Sequence, residues 1–189
     1  MATVRTFVAA EVSAEIRAGV GRLIDELSQS GAAVKWVDAE NIHLTIKFLG
    51  EVEYVVLNDV CRAVAAAVQD FEPFSVSCTG VGAFPRLARP RTIWLGVDSE
   101  QQILTTISAA VEDAMADLGF RRESRPFHPH LTIGRVRDGR QLGDFPTILG
   151  TGDFSVSGSF TVDELVIFSS ELTTGGPIYT PMGRAVLGA

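Results

Sequence analysis

The tetrapeptide His43-Leu44-Thr45-Ile46 occurs a second time, unchanged, as His130-Leu131-Thr132-Ile133. In an extended strand, residues i and i+2 project to the same side. Each copy therefore presents a histidine with a threonine on one face and a leucine with an isoleucine on the other. The chain has three histidines, His43, His128 and His130, and all of them lie in or beside these motifs. A single histidine on a strand is ordinarily a hydrogen-bonded structural residue. Two of them in the same register of a duplicated motif are better explained by shared chemistry, because packing alone does not require both copies to keep an imidazole. His128 has no counterpart in the first copy and reads as a supporting residue.

Two imidazoles suit in-line displacement at phosphorus, where one takes a proton from the attacking water and the other gives one to the departing oxygen. Histidine has an unperturbed pKa near 6.5, so both protonation states are available at neutral pH. Each such proton transfer is typically worth about 10²–10⁴-fold. The threonine hydroxyls supply neutral donors to the non-bridging oxygens as their charge grows. Lys47 or Arg135, just downstream of the motifs, would add positive charge. A site of this kind needs no metal and no cofactor. No P-loop, G-x-S-x-G elbow, H-E-x-x-H or G-x-G-x-x-G competes with it, and Gly80-Val81-Gly82 and Gly175-Gly176 read as turns. Two alternatives stay open. His43, His128 and His130 together would offer three imidazoles to a zinc ion, although His128 lacks a mirror and Pro129 constrains the strand. A non-catalytic nucleotide- or RNA-binding module is the other.

The elements that must carry these motifs are themselves duplicated. Arg5-Thr6-Phe7-Val8 is echoed by Arg91-Thr92-Ile93-Trp94, and Phe74-Ser75-Val76-Ser77 by Phe154-Ser155-Val156-Ser157, at offsets of 86 and 80 residues against 87 for the histidines. Two copies imply a pseudo-twofold pair of lobes, not a solenoid. In the first copy (about 3–83), a strand at 3–11 leads through the N-cap Ser13 into a helix with Ile16, Val20, Leu23, Ile24 and Leu27 on one stripe, stopped at Gly31. Strands at 34–37 and 42–49, a helix over 53–70 with Val56, Val60, Val64 and Val68 aligned, and a strand at 74–82 follow. The second copy (about 91–170) predicts a strand at 91–98, a helix at 101–118 through Ile103, Leu104, Ile107, Val111 and Leu118, and strands at 129–137, 153–160 and 162–170. A C-terminal segment, 171–189, holds a last strand near 183–187. Residues 84–90 join the copies, and 138–152 reads as a surface loop. Short links and one-sided strands favour antiparallel pairing. The fold class is α+β: one two-lobed domain over 1–189, each lobe an antiparallel sheet with helices on its outer face, around a central cleft.

The net charge of −7 argues against a broad duplex-binding face, but a ligand responds to the local field. Three arginine groups, at 86/89/91, 121/122/125 and 135/137/140, leave room for a small basic cleft. No apolar run approaches the roughly 20 residues of a membrane span, and the N-terminus carries no secretory pattern. Cys61 and Cys78, without C-x-x-C spacing, read as buried free thiols in a reducing compartment. The expectation is a soluble cytoplasmic protein, a monomer with no obligate protein partner.

The doubled His-x-Thr-x motif resembles the signature of the 2H phosphoesterases. Longer strings narrow the resemblance: Arg5-Thr6-Phe7-Val8-Ala9, Asn41 to Glu51 (N-I-H-L-T-I-K-F-L-G-E), Trp94-Leu95-Gly96, and Arg125 to Arg135 (R-P-F-H-P-H-L-T-I-G-R). Together they are similar to the bacterial and archaeal RNA 2′,3′-cyclic phosphodiesterases, also called 2′–5′ RNA ligases, over essentially the whole chain as far as Tyr179-Thr180-Pro181. The resemblance implies metal-free hydrolysis of a 2′,3′-cyclic phosphate to a 2′-phosphate, with RNA 3′ ends or small cyclic nucleotides as substrates. It implies His43 as general acid, His130 as general base, and Thr45 and Thr132 as phosphate ligands. Arg135 would contact the phosphate. Phe48 would stack on a base, with a core aromatic as its alternative. Ligation forming a 2′–5′ linkage is the same transition state approached from the other side.

Overall fold

The structure, a computed structural model, describes residues 2–139 and 141–189; Arg140, the last member of the third arginine group, lies outside them. The first half contributes β1 (Thr3–Glu11), α1 (Ala14–Ser28), β2 (Val34–Trp36), β3 (His43–Glu53), α2 (Leu57–Val68) and β4 (Phe74–Phe84). The second contributes β5 (Thr92–Ser99), α3 (Ile103–Asp117), β6 (His130–Val136), α4 (Phe145–Thr151), β7 (Ser159–Val162), β8 (Glu164–Thr173) and β9 (Gly176–Val186).

Local chemistry explains most of these boundaries. The Ser13 hydroxyl accepts the Ile16 N–H at 3.3 Å, and Ile16, Val20, Leu23, Ile24 and Leu27 of α1 are all buried. In α2 the stripe Val60, Val64, Val68 is buried, with Val56 in a 3₁₀ turn just ahead of it. In α3 the buried stripe is Leu104, Ile107, Val111 and Met115. Leu118, expected on that stripe, is exposed, because the helix ends at Asp117 and Leu118 lies beyond its last turn. The expected loop at 138–152 contains α4, which buries Phe145 and Leu149 and takes Pro146 in its first turn, where the missing N–H costs nothing.

The nine strands of the described residues form one antiparallel sheet, in the order β7-β4-β5-β6-β3-β1-β8-β9 with β2 paired to β6. The order is a palindrome about the β6–β3 seam: β3 answers β6, β1 answers β5, and β8 answers β4. The lobes meet at that seam through a single Cα pair, Leu44 with Leu131. The palindrome corrects two sequence expectations. Residues 153–158 are not the second copy of β4; apart from one bridge, Ser155 to Gly80, they form no strand, and β8 fills that place. The match of Arg5-Thr6 to Arg91-Thr92 is one residue out of register. The ladders pair Phe7 with Phe48 and Thr92 with Arg135, so Thr92 answers Phe7. A one-residue slip on a strand changes faces.

The main core gathers Leu44, Ile46, Leu131, Ile133, Ile93 and Leu95 with the apolar stripes of the helices, on one face of the sheet. A second, smaller cluster, Phe7, Ala9, Val166 and Phe168 with Tyr179 against it, lies on the other face of β1 and β8. No helix among the described residues is long and apolar enough to cross a membrane. Cys61 and Cys78 are free and half-buried rather than fully buried.

Candidate active site

Each histidine motif opens a strand beside the seam. Leu44 and Leu131 are paired there and fully buried, so His43, Thr45, His130 and Thr132 stand on the opposite, cleft-facing side. The antiparallel register sets His43 at the Thr132 end and His130 at the Thr45 end. The two histidines are held alike. Nδ1 of His43 lies 2.8 Å from the Asn41 carbonyl, and Nδ1 of His130 lies 2.6 Å from the His128 carbonyl. A carbonyl only accepts, so in each neutral ring Nδ1 carries the hydrogen and Nε2 is the atom that gains or loses a proton.

The surroundings of the rings are aromatic. His43 lies against Phe7, ring centres 4.8 Å apart, and meets Tyr179 edge-on at 5.2 Å. Phe7 in turn stacks on Phe168. His130 meets Phe84 edge-on at 5.1 Å, and its supporter His128 packs on Trp94 at 4.7 Å. Trp94 lies so close over Gly82 that a Cβ there would fall 2.1 Å from its ring. Gly82 is thus a residue inside β4 that makes room for an indole, not a turn. Beyond Trp94 and His128 the surface continues into a cavity of about 510 Å³ lined by Thr79, Asp98, Ser99 and Gln102 among others.

Burial pushes both imidazoles below the usual histidine range, chiefly because the cationic form loses hydration. The backbone hydrogen bonds oppose this in part. The charge of His130 lowers His43 further, His128 lowers His130, and Arg135 lowers both. The Arg135 charge thus acts on both rings, the residue being carried to their side by the register shift in the β5–β6 ladder at Ile133 and not by simple alternation from His130. Phe48 is 60% exposed with its ring 6.0 Å from Phe7, which removes the core-aromatic alternative. Phe48 and Arg135 occupy matching ladder positions in the two halves.

Lys47 does not add charge to the cleft. The β1–β3 ladder jumps from Val8–Lys47 to Ala9–Thr45, leaving Ile46 as an extra residue. This bulge interrupts the alternation. Ile46 and Lys47 both turn to the core side, where Lys47 is 5% exposed and its Nζ donates to Glu112 at 2.7 Å. The matching jump in β6 falls at Ile133 and leaves Gly134 in the place of Lys47. Of the second arginine group, Arg122 pairs with Asp113 on the surface and Arg121 offers its carbonyl to Lys47.

Phe7, Phe84, Trp94 and Tyr179 line the site without having been singled out for it. Phe7 and Trp94 lie in the repeated strings, so for these two the signal was present; Phe84, at the end of β4, and Tyr179, on β9, come from outside them. Burial raises the Tyr179 hydroxyl pKa against the opposing charges of Arg135 and Arg5. Among the described residues no three His, Cys, Asp or Glu side chains converge as a metal would need; the ring of His128 is occupied by Phe84 and Trp94.

A curled antiparallel sheet with a histidine motif on each side of its seam is the arrangement of the 2H phosphoesterase fold. The sequence profile of the 2'-5' RNA ligase superfamily matches residues 4–174, and the chain belongs to that family. It is 36% identical over 179 residues to an RNA 2′,3′-cyclic phosphodiesterase of Methanothermobacter thermautotrophicus, covering 95% of this chain and 96% of that one. It is 38% identical over 176 residues to the protein of the same name from Archaeoglobus fulgidus, covering 93% and 96%. Among solved structures, apo Escherichia coli LigT superposes with a TM-score of 0.77 at 26% identity over the full length of both chains. That protein has also been solved with 3′-AMP, superposing here with a TM-score of 0.76 at 26% identity over the whole of both chains.

Proposed function

We propose that this protein hydrolyses RNA-terminal 2′,3′-cyclic phosphates to 2′-phosphomonoesters by metal-independent acid–base catalysis between His43 and His130. The observation that carries the reading is the matched tethering of the two imidazoles, each fixed through Nδ1 to a carbonyl with Nε2 left to exchange protons. The names of the relatives support the reaction, and the 3′-AMP complex of LigT supports a nucleotide as ligand.

On this reading Nε2 of His130 takes the proton of a water that attacks phosphorus. The bond from phosphorus to O3′ breaks, and O3′ takes the proton of Nε2 of His43. Phosphate remains on O2′; solvent then returns a proton to His43 and removes one from His130. Thr45 and Thr132 donate to the non-bridging oxygens, whose charge rises in the transition state. Arg135 adds a full positive charge that acts on both histidines, and it opposes the charge of the phosphate. Phe48 offers an exposed ring for a base to stack on.

The test is turnover of a 2′,3′-cyclic nucleotide and of a short RNA ending in a cyclic phosphate, before and after exhaustive chelation, with the product identified by phosphorus NMR. A 2′-phosphate formed at the same rate by metal-free protein is the expected result. A 3′-phosphate, or activity that vanishes with the metal, overturns the mechanism. Including an RNA with a free 5′-hydroxyl reads the ligation direction in the same assay.

A further inference from the structure

On the core face, behind the cleft, an ion pair joins β3 to α3 and, through it, to the segment that leads into β6. β3 and β6 share a single Cα pair, fewer than any other neighbours along the sheet. Lys47, two residues beyond Thr45, reaches from β3 to Glu112 of α3, a helix of the second half, at 2.7 Å, and to the Arg121 carbonyl at 3.2 Å. The other carboxylate oxygen of Glu112 accepts the Glu123 N–H at 2.8 Å. Residues 121–123 begin the stretch without helix or strand that runs to His128, whose carbonyl orients His130. The pair thus ties the strand of one histidine to the segment that delivers the other.

Stability does not account for it. Burying two charges costs about as much as their attraction returns, and an apolar pair of similar volume commonly does as well. The second half shows the apolar solution at the matching position. There Gly134 lies under Trp36 and Val34, each within 2.8 Å of where its Cβ would be. What an ion pair adds over grease is a fixed distance and direction.

We propose that Lys47 and Glu112 are positioning residues that set the relation of His43 to His130 by fastening the segment that delivers His130 to the strand of His43. The proposal rests on the reaction given above, so its test has an arm independent of turnover. The variants are Lys47→Met, Glu112→Gln, and the two combined. Each single change leaves a buried charge without its partner and lowers Tm; the combined variant buries no charge, keeps an acceptor for the Glu123 N–H, and recovers most of it. Misplacement of about 1 Å costs about a hundredfold in rate, so kcat is expected to fall about ten- to a hundredfold in all three, with KM little changed. The combined variant is expected to be no slower than the slower single one, because both act through one tie. A combined variant with recovered Tm and wild-type kcat overturns the proposal. If the wild-type protein leaves cyclic phosphate intact, the proposed reaction falls and the imidazole N–H resonances decide the tie. A shifted or broadened His130 Nδ1–H signal in the combined variant supports it, and an unchanged one overturns it.

Discussion

The two halves of the cleft keep the same tether and differ in what they place beside it. In the first, His43 is backed by Phe7 and Tyr179 and flanked by the exposed Phe48. In the second, His130 is backed by Phe84 and Trp94, and the place of Phe48 is taken by Arg135. The bond from Nδ1 to the carbonyl two residues back is common to both, so what is duplicated is the tautomer and the aim of the ring. The neighbours have diverged, and on the proposed reading they meet different parts of a ligand. One side offers an aromatic face without charge; the other offers a cation.

The strongest way to break this comparison is to remove the shared part. His43→Ala and His130→Ala are each expected to lose about 10²–10⁴-fold in kcat while remaining folded by circular dichroism. If one of them turns over like the wild type, the halves are not equivalent and the acid–base pair is wrong. Next come the divergent positions. Arg135→Ala is expected to lose about ten- to a hundredfold in kcat/KM, since a hydrogen bond to a charged group is worth about 1.5–3 kcal/mol. Because Arg135 lowers both imidazoles, the same change should move both limbs of the pH–rate profile upward. Phe48→Ala is expected to raise KM about tenfold for base-bearing substrates, in line with stacking energies of about 1–3 kcal/mol, and to leave the pH profile in place. A shift of that profile by Phe48→Ala would erase the distinction between the two sides. Thr45→Val and Thr132→Val should each cost about fivefold in kcat, for one neutral hydrogen bond of about 1 kcal/mol; unequal losses would show which side holds the phosphate.

The smallest effect is on stability. Both imidazoles have folded pKa values below the unfolded 6.5, so between those values the unfolded chain holds more protons than the folded one. Stability from this source is complete above the unfolded pKa and is lost as pH falls through the folded pKa values. Tm measured across that window should drop toward acid, and the drop should be shallower in a protein carrying His43→Ala and His130→Ala. An equal slope would mean the two rings are not held neutral by burial.

Much of this was legible in the residues. Helices α1 and α2 follow their apolar stripes, and Ser13 caps where a serine before such a stripe should. The misreadings share a cause. Lys47 was misplaced by a bulge, the Arg5/Arg91 match by one residue of register, and β4 was matched to 153–158 where β8 is its counterpart. Each is a question of which strand lies beside which and in what phase, and that is settled by contacts far apart in the chain.

By itself the sequence singled out the groups proposed for the chemistry, because a period-two motif repeated with its histidine intact marks both the residue and its face. Only the tertiary structure decided what surrounds them. Tyr179 reaches His43 from the far end of the chain, Trp94 needs the space left by Gly82, and Lys47 is turned from the cleft to the core face by a single extra residue. Side-chain type is written locally; which face a strand shows after a bulge, and what it meets there, depends on the energy of the whole packed sheet.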